Sequence, residues 1–325
     1  MPLFDEVAKF ENLERAFRCC ARGKRKSLGY QKMLAELGDK LTQLRAELLS
    51  NRFQWSGYRK FLVHDPKARV ISAPPFRDRV VHTAICQQIE PVLDAQLSNS
   101  VYACRKGKGN RYAVIELIYK LKCLGPERFV VKLDVERYFD SIDHHVLLDR
   151  VFSHLPDPSL EPLLTSLVQS FSSPLGTSKG VPIGSLSSQL FANFYLASAD
   201  QLILQSLNED ELYLRYMDDL VIATRSKKRA LDLAERVCRH MEVDLLLQIP
   251  FHKRVALASD PIPFLGFYVD ENGHRILSRN ERRHQKRLRR MNKRGKRESQ
   301  VAQTELSFNA FKNLEPHLSE RINAS

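Results

Sequence analysis

Apolar and polar positions recur along this chain with two different periods, and the switches between them mark its elements. Near the start Phe4, Val7, Phe10, Leu13 and Phe17 fall at helical spacing, so residues 1–60 read as helices. Phe61 to Pro75 reads as a hairpin turning at Asp65-Pro66, and Arg77 to Ile85 opens a helix. Phe129-Val130-Val131-Lys132-Leu133-Asp134 is an apolar run closed by an acid, the pattern of a strand leaving a sheet. Helical character returns over 144–175 with Pro interruptions at 155–158 and 173–174, and Ser187 to Leu196 reads as a mostly buried helix. Leu214-Arg215-Tyr216 and Leu220-Val221-Ile222-Ala223 are apolar arms around a short turn, which predicts a β-hairpin. Lys227 to Asp244 predicts an amphipathic helix with Ala230, Leu231, Ala234, Val237, Cys238 and Met241 on one side. A strand region then runs to Lys253, and Phe264-Leu265-Gly266-Phe267 turns another hairpin. The mixture is α/β, with no internal repeat.

Composition adds a partner but no chemistry. At 325 residues, 43% of them hydrophobic, the chain buries a substantial core and is globular. A formal net charge of +13 points to a polyanion such as nucleic acid. Arg279 to Arg297 holds eleven Lys or Arg in nineteen residues, too basic for a core helix and suited to a nucleic-acid backbone. The run Arg22-Gly23-Lys24-Arg25-Lys26 is either a solvated loop or an RNA contact; Trp55 and Tyr58 either pack or stack on bases. Cys19, Cys20, Cys86, Cys104, Cys123 and Cys238 show no metal-site spacing and read as buried thiols in a reducing cytoplasm. There is no secretory segment and no apolar run of about 18 residues, so no membrane partner is expected.

The candidate chemistry sits on the hairpin turn. Asp218 and Asp219 are adjacent at its tip, which also describes a plain solvated turn. A strand ending at Asp134 beside that hairpin would bring three carboxylates together. Such acids repel unless a cation holds them, and hard oxygen ligands suit Mg²⁺. Two ions roughly 3.5–4 Å apart would stabilise the attacking and leaving oxygens of an in-line phosphoryl transfer.

These residues carry a family resemblance. Tyr216-Met217-Asp218-Asp219 resembles the hallmark tetrad of reverse transcriptases, and Lys132-Leu133-Asp134 through Tyr138-Phe139-Asp140-Ser141-Ile142-Asp143-His144 resembles the segment with their first metal-binding aspartate. Gly180-Val181-Pro182-Ile183-Gly184-Ser185-Leu186-Ser187-Ser188-Gln189 is similar to their template- and nucleotide-contacting loop, and the likeness runs from about Lys67 to about Phe267. It implies a right-hand polymerase: N-terminal helices and fingers over 1–128, an antiparallel-sheet palm over 129–277 with finger helices inserted about 144–180, and a short basic helical thumb over 278–325. Asp134, Val135, Asp218 and Asp219 would bind two magnesium ions, with manganese as an alternative. Lys67, Arg69, Phe139, Ile183, Gly184, Gln189 and Lys253 would meet the nucleotide, with Phe139 as the gate that excludes a 2′-hydroxyl. Arg105, Tyr216, Met217 and Gly266 would meet primer or template.

The loop departs from the commonest family pattern: Ile183-Gly184-x-x-x-Ser188-Gln189 replaces Gln-Gly-x-x-x-Ser-Pro. That form resembles the reverse transcriptases of bacterial and phage diversity-generating retroelements, and also some defence-associated enzymes. The resemblance implies copying of a dedicated structured or noncoding RNA into cDNA from a DNA or RNA primer, with deoxynucleoside triphosphates as substrates. An accessory protein or a second copy of the chain would be a further partner. The alternatives are an antiphage defence reverse transcriptase and, in a different class, a noncatalytic RNA-binding scaffold.

Overall fold

The computed structural model describes residues 2–64, 68–250, 255–257 and 260–314. The chain forms two compact units, each discontinuous in sequence: Met1–Ser98, Val135–Leu202 and Cys238–Ile249 make the first, and Asn99–Asp134, Ile203–Val237 and Pro250–Ser325 the second.

The first unit is built around the helix Phe76–Asp94, which starts just after Pro75. Val80, Val81, Ala84, Ile85 and Ile89 together with His82, Thr83 and Cys86 bury nearly its whole circumference, the mark of a central core helix. Helices Leu3–Ala8, Phe10–Cys20 and Leu186–Tyr195 pack around it. The predicted N-terminal helix is broken at Lys9, and Asn12 ties the second piece down by donating to the carbonyls of Val7 and Ala84, both at 3.1 Å. Trp55 packs rather than projects: its indole donates to Ser166 Oγ at 3.1 Å and its ring meets Phe53 and His82 edge-on. Helical structure after 144 ends at Gln169, short of the expected 175, and resolves into His144–Phe152 and Glu161–Gln169 with a 3-10 turn at Pro158–Leu160 between them.

The second unit holds a four-stranded antiparallel sheet in the order Leu212–Tyr216, Asp219–Thr224, Phe129–Asp134, Val255–Leu257. The helix Asn110–Leu124 lays Val114, Leu117, Ile118 and Leu121 against Leu212, Leu214, Val221 and Val130. A second sheet of Ile262–Phe264, Phe267–Asp270 and Gly273–Ile276 extends this core through Phe264 and Phe267, each fully buried ring contributing about 2–3 kcal/mol. The helices Ser278–Lys293 and Glu298–Lys312 follow.

Three expectations change. Residues 245–250 form no strand; the sheet's fourth strand lies later, at Val255–Leu257. On the helix Lys227–Val243, Leu231 is exposed and Leu233 takes the buried place, because the helix turns Ala230, Leu233, Ala234 and Val237 inward together. Only Cys20, Cys86 and Cys238 are buried, while Cys19, Cys104 and Cys123 are exposed at helix or loop surfaces. Among the described residues no helix is long and apolar enough to cross a membrane.

Arg128 is fully buried just before the strand Phe129–Asp134, where its guanidinium donates to the Gly125 carbonyl at 2.7 Å and pairs with Glu271 in the turn between the last two strands of the second sheet. The pairing holds the Glu271 carboxyl below its ordinary value of 4.5, so its stabilisation is complete above that pH and lost as pH falls through the lowered value. Glu271→Ala strands a buried charge and is expected to cost about 2–3 kcal/mol of unfolding free energy at pH 7, with the loss shrinking in acid. Urea denaturation checks this, and a cost below about 0.5 kcal/mol would show that the pair does not tie the two sheets together.

Candidate active site

Strand register assembles the carboxylates. Asp134 stands directly opposite Asp219 in the antiparallel pair, and Tyr216 stands opposite Asp219 on its other side. Directly opposed residues share a face, with Cβ atoms roughly 4.5–5.5 Å apart. Asp218 and Met217 form the intervening turn, and Met217 takes a left-handed backbone conformation, φ 57°. The turn is braced from below by Arg215, which is fully buried and donates to the Met217 carbonyl at 2.9 Å. Segment 100–102 clips the outer edge of this strand, the Arg215 amide donating to Ser100 and the Tyr102 amide to Arg215, both at 2.9 Å.

Charge is stored at this row. One Asp219 oxygen lies 3.0 Å from the Lys132 ammonium, which also donates to the Pro263 carbonyl at 2.8 Å. The other, Oδ1, is buried with no hydrogen-bond partner. Burial pushes the Asp219 carboxyl up to about 7; Lys132 pulls it down, and the neighbouring Asp218 and Asp134 push it up again. An orphaned carboxylate oxygen beside two further carboxylates fits a divalent cation. Among the described residues no three or more His, Cys, Asp or Glu side chains close into a ready-made metal cage. Magnesium uses one or two carboxylates and completes its shell with water and substrate phosphates.

In the first unit a second group of predicted residues converges. The loop 180–184 is held by backbone bonds on two sides: the Val181 amide donates to Phe139 at 2.8 Å, and the Ser72 amide donates to Ile183 at 2.8 Å. The second bond joins the loop to the hairpin strand Ala68–Ala73 that carries Arg69, which is exposed. Gly184 has φ 120°, and a Cβ there would lie 2.8 Å from Ile71, so the close approach of loop and strand requires glycine. Phe139 is half-buried, edge-on to Tyr138, and Gln189 is exposed. Val135 is buried.

The remaining predicted residues lie in the second unit or beyond the described part. Arg105 is half-buried and donates to the Val101 carbonyl at 3.2 Å. Gly266 turns its hairpin at φ 96°, and the close approach it permits here is that of Asn280, whose side chain donates to the Gly266 carbonyl at 3.0 Å. Lys67 and Lys253 lie outside the described residues.

Several supporting residues escaped the sequence reading. Lys132 is two positions before Asp134 and therefore on the same strand face, a spacing that could have flagged it as a counter-ion. His144 and His82 brace the two ends of the loop 180–187. His144 Nε2 lies 2.7 Å from the Gly180 carbonyl, which can only accept, so that nitrogen carries the proton. His82 Nδ1 lies 2.7 Å from Ser187 Oγ. Burial keeps both rings neutral, His82 being pushed down to about 3 by burial and by Arg79.

A row of acids at the end of an antiparallel sheet, continued into a hairpin turn, is compatible with a metal-assisted phosphoryl-transfer site. Residues 63–269 match the family model of the reverse transcriptase (RNA-dependent DNA polymerase), well over half of the chain, and the protein belongs to that family. It is an RNA-directed DNA polymerase with relatives among bacterial retroelement enzymes. Protein YkfC of Escherichia coli K12 is 24% identical over 288 residues, covering 76% of this chain and 74% of that protein. The retron Ec73 reverse transcriptase of Escherichia coli is 27% identical over 198 residues, 56% of this chain and 59% of that enzyme. The fold is similar to apo telomerase from Candida tropicalis, with a TM-score of 0.52 and 13% identity over 69% of this chain and 49% of that one. The chain thus spans about half the telomerase and less than two thirds of the retron enzyme. Reverse transcriptase domains work with divalent metal ions.

Because the folded state holds the Asp219 proton more tightly than an unfolded chain, the metal-free protein loses stability from this group as pH rises from about 4 to 7. Asp219→Asn removes that dependence. In EDTA at pH 8 it is expected to raise unfolding free energy by on the order of 1–2 kcal/mol, the full shift being reduced by partial exposure and by the lost Lys132 pairing. Urea titrations at pH 5 and pH 8 check this; a variant less stable than wild type at pH 8 would contradict the cost of burying this carboxylate in its charged form.

Proposed function

We propose that this chain copies a dedicated structured RNA into cDNA, as the polymerase of a diversity-generating retroelement. The observation that carries the chemistry is Asp134 facing Asp219 across one strand pair, with Asp218 in the adjoining turn. Asp134, Asp218 and the Val135 carbonyl would hold two magnesium ions, and Asp219 would add its unpartnered oxygen. Bound magnesium would supply Lewis acidity to the primer 3′-hydroxyl and to the phosphates. In the reaction a primer 3′-oxygen bonds to the α-phosphorus of a deoxynucleoside triphosphate while the bond to pyrophosphate breaks.

The chain's other residues would bind and select. Arg69, Lys67 and Lys253 would offset triphosphate charge. Phe139 would exclude a ribose 2′-hydroxyl, and Ile183, Gly184 and Gln189 would line the nucleotide and template. Arg105 would contact template phosphates; Tyr216, Met217 and Gly266 would meet the primer end. The helix Ser278–Lys293, with no buried residue, would grip RNA or duplex as a short thumb. An accessory protein or a second copy would hold the template in place. Ile183 in place of an amide removes a hydrogen-bond partner near the nucleotide, which supports the retroelement reading and would lower fidelity. The same loop form supports a second reading, an antiphage defence enzyme copying a noncoding RNA.

Primer extension on an RNA template checks the chemistry. Asp134→Asn and Asp218→Asn are each expected to lower deoxynucleotide incorporation by about a thousandfold or more with circular dichroism unchanged. Retention of a tenth of wild-type activity by either variant would refute the assignment. Phe139→Ala is expected to admit ribonucleotides, and Ile183→Gln to reduce errors several-fold when the cDNA is sequenced; error rates unmoved by Ile183→Gln would count against the low-fidelity reading.

A further inference from the structure

The helix Asn110–Leu124 buries one side in the second unit's core and carries two tyrosines on the other. Tyr112 is 40% and Tyr119 36% exposed. Seven residues make nearly two whole turns, so the two rings share a stripe with backbones about 10 Å apart. Beside Tyr112 lies a recess of about 390 Å³, lined by Tyr102, Lys108, Glu116, Lys120 and Tyr213 among others. Its volume suits one nucleotide. The Lys108 ammonium sits 4.7 Å over the Tyr102 ring, so a cation already occupies the rim. From Arg105 to Lys122 the sequence has six Lys or Arg against the single acid Glu116.

From this geometry we infer that the outer face of the helix Asn110–Leu124 is a second nucleic-acid surface, one that holds a single-stranded stretch of RNA. Aromatic rings interleaved with lysines are the two components that bind unpaired strands without regard to sequence: each ring stacks a base and each ammonium follows a phosphate. Tyr112 and Tyr119 stack successive or alternate bases, Lys120 and Lys108 meet the backbone, and the recess receives one base with its sugar. The polar lining at Asn99 and Ser100 gives a 2′-hydroxyl partners that deoxyribose lacks, which favours RNA over cDNA. The excess of positive charge favours RNA over a basic peptide, and the aromatic spacing favours it over an acidic one. The inference rests on the reading of this chain as an RNA-copying polymerase for the identity of the strand, and on nothing in the carboxylate row.

Photo-cross-linking of a 4-thiouridine-substituted, unstructured RNA to the full chain, followed by peptide mapping, tests it. Cross-links are expected within 110–124, and a matched thio-substituted DNA should give clearly fewer. Fluorescence anisotropy should show the Tyr112→Ala/Tyr119→Ala double variant binding that RNA about tenfold more weakly. The Tyr112→Phe/Tyr119→Phe variant should bind like wild type, and both should extend a pre-annealed primer–template normally. Cross-links confined to other segments, RNA affinity within twofold of wild type for the alanine variant, or equal cross-linking by DNA would overturn the inference. A chain that cross-links here yet makes no cDNA would overturn the proposed function and leave this surface standing.

Discussion

A carboxylate that the sheet buries in one row with two others is the constraint on which this structure turns. Antiparallel register leaves Asp134 and Asp219 no freedom to separate, since a one-residue slip would turn every strand side chain to the wrong face. The cost is met locally: Lys132 neutralises part of the charge, and Asp219 holds its proton to about pH 7. An arrangement that buries a carboxylate beside two others in this way gains most when a divalent cation arrives.

The rest of the second unit serves to hold that row still. Arg215 anchors the turn from the core side, segment 100–102 closes the strand's outer edge, and the helix Asn110–Leu124 covers the sheet with a continuous apolar face. Lys132 links the row to Pro263, at the start of the hairpin that turns through Gly266. In the first unit, buried neutral histidines fix the loop 180–187 at both ends while backbone bonds tie it to Phe139 and to the hairpin of Arg69. Each unit supports its candidate site side chains with buried polar contacts, and these are expensive to break because their partners would be left without water.

Much of this was legible in the sequence, for identifiable reasons. Residues 129–134 and 214–223 have strand periodicity strong enough to place Asp134, Asp218 and Asp219 at element ends, and the family model covers the same stretch. Sequence patterns failed where tertiary contacts decide. Leu231 and Leu233 are equally apolar, and only packing chooses between them. The helix Asn110–Leu124 mixes tyrosines and lysines on its outer face and buries Glu116 among its apolar residues, so it shows no clean stripe. Lys132, Arg215 and the two histidines resembled ordinary strand or helix residues, because their roles lie in hydrogen bonds to partners far away in sequence or hidden beneath a turn, backbone carbonyls for Lys132, Arg215 and His144 and the Ser187 hydroxyl for His82.

The likeness to telomerase at 13% identity shows how little of this fold depends on particular core residues. In this chain the register sets Asp134 against Asp219. Calorimetric titration of Mn²⁺ into the protein at pH 7, in buffers of different ionisation enthalpy, measures that directly. The account predicts release of roughly half a proton from Asp219 on metal binding, with binding weakened in Asp134→Asn. Metal binding that releases no proton, and that Asp134→Asn leaves intact, would contradict it.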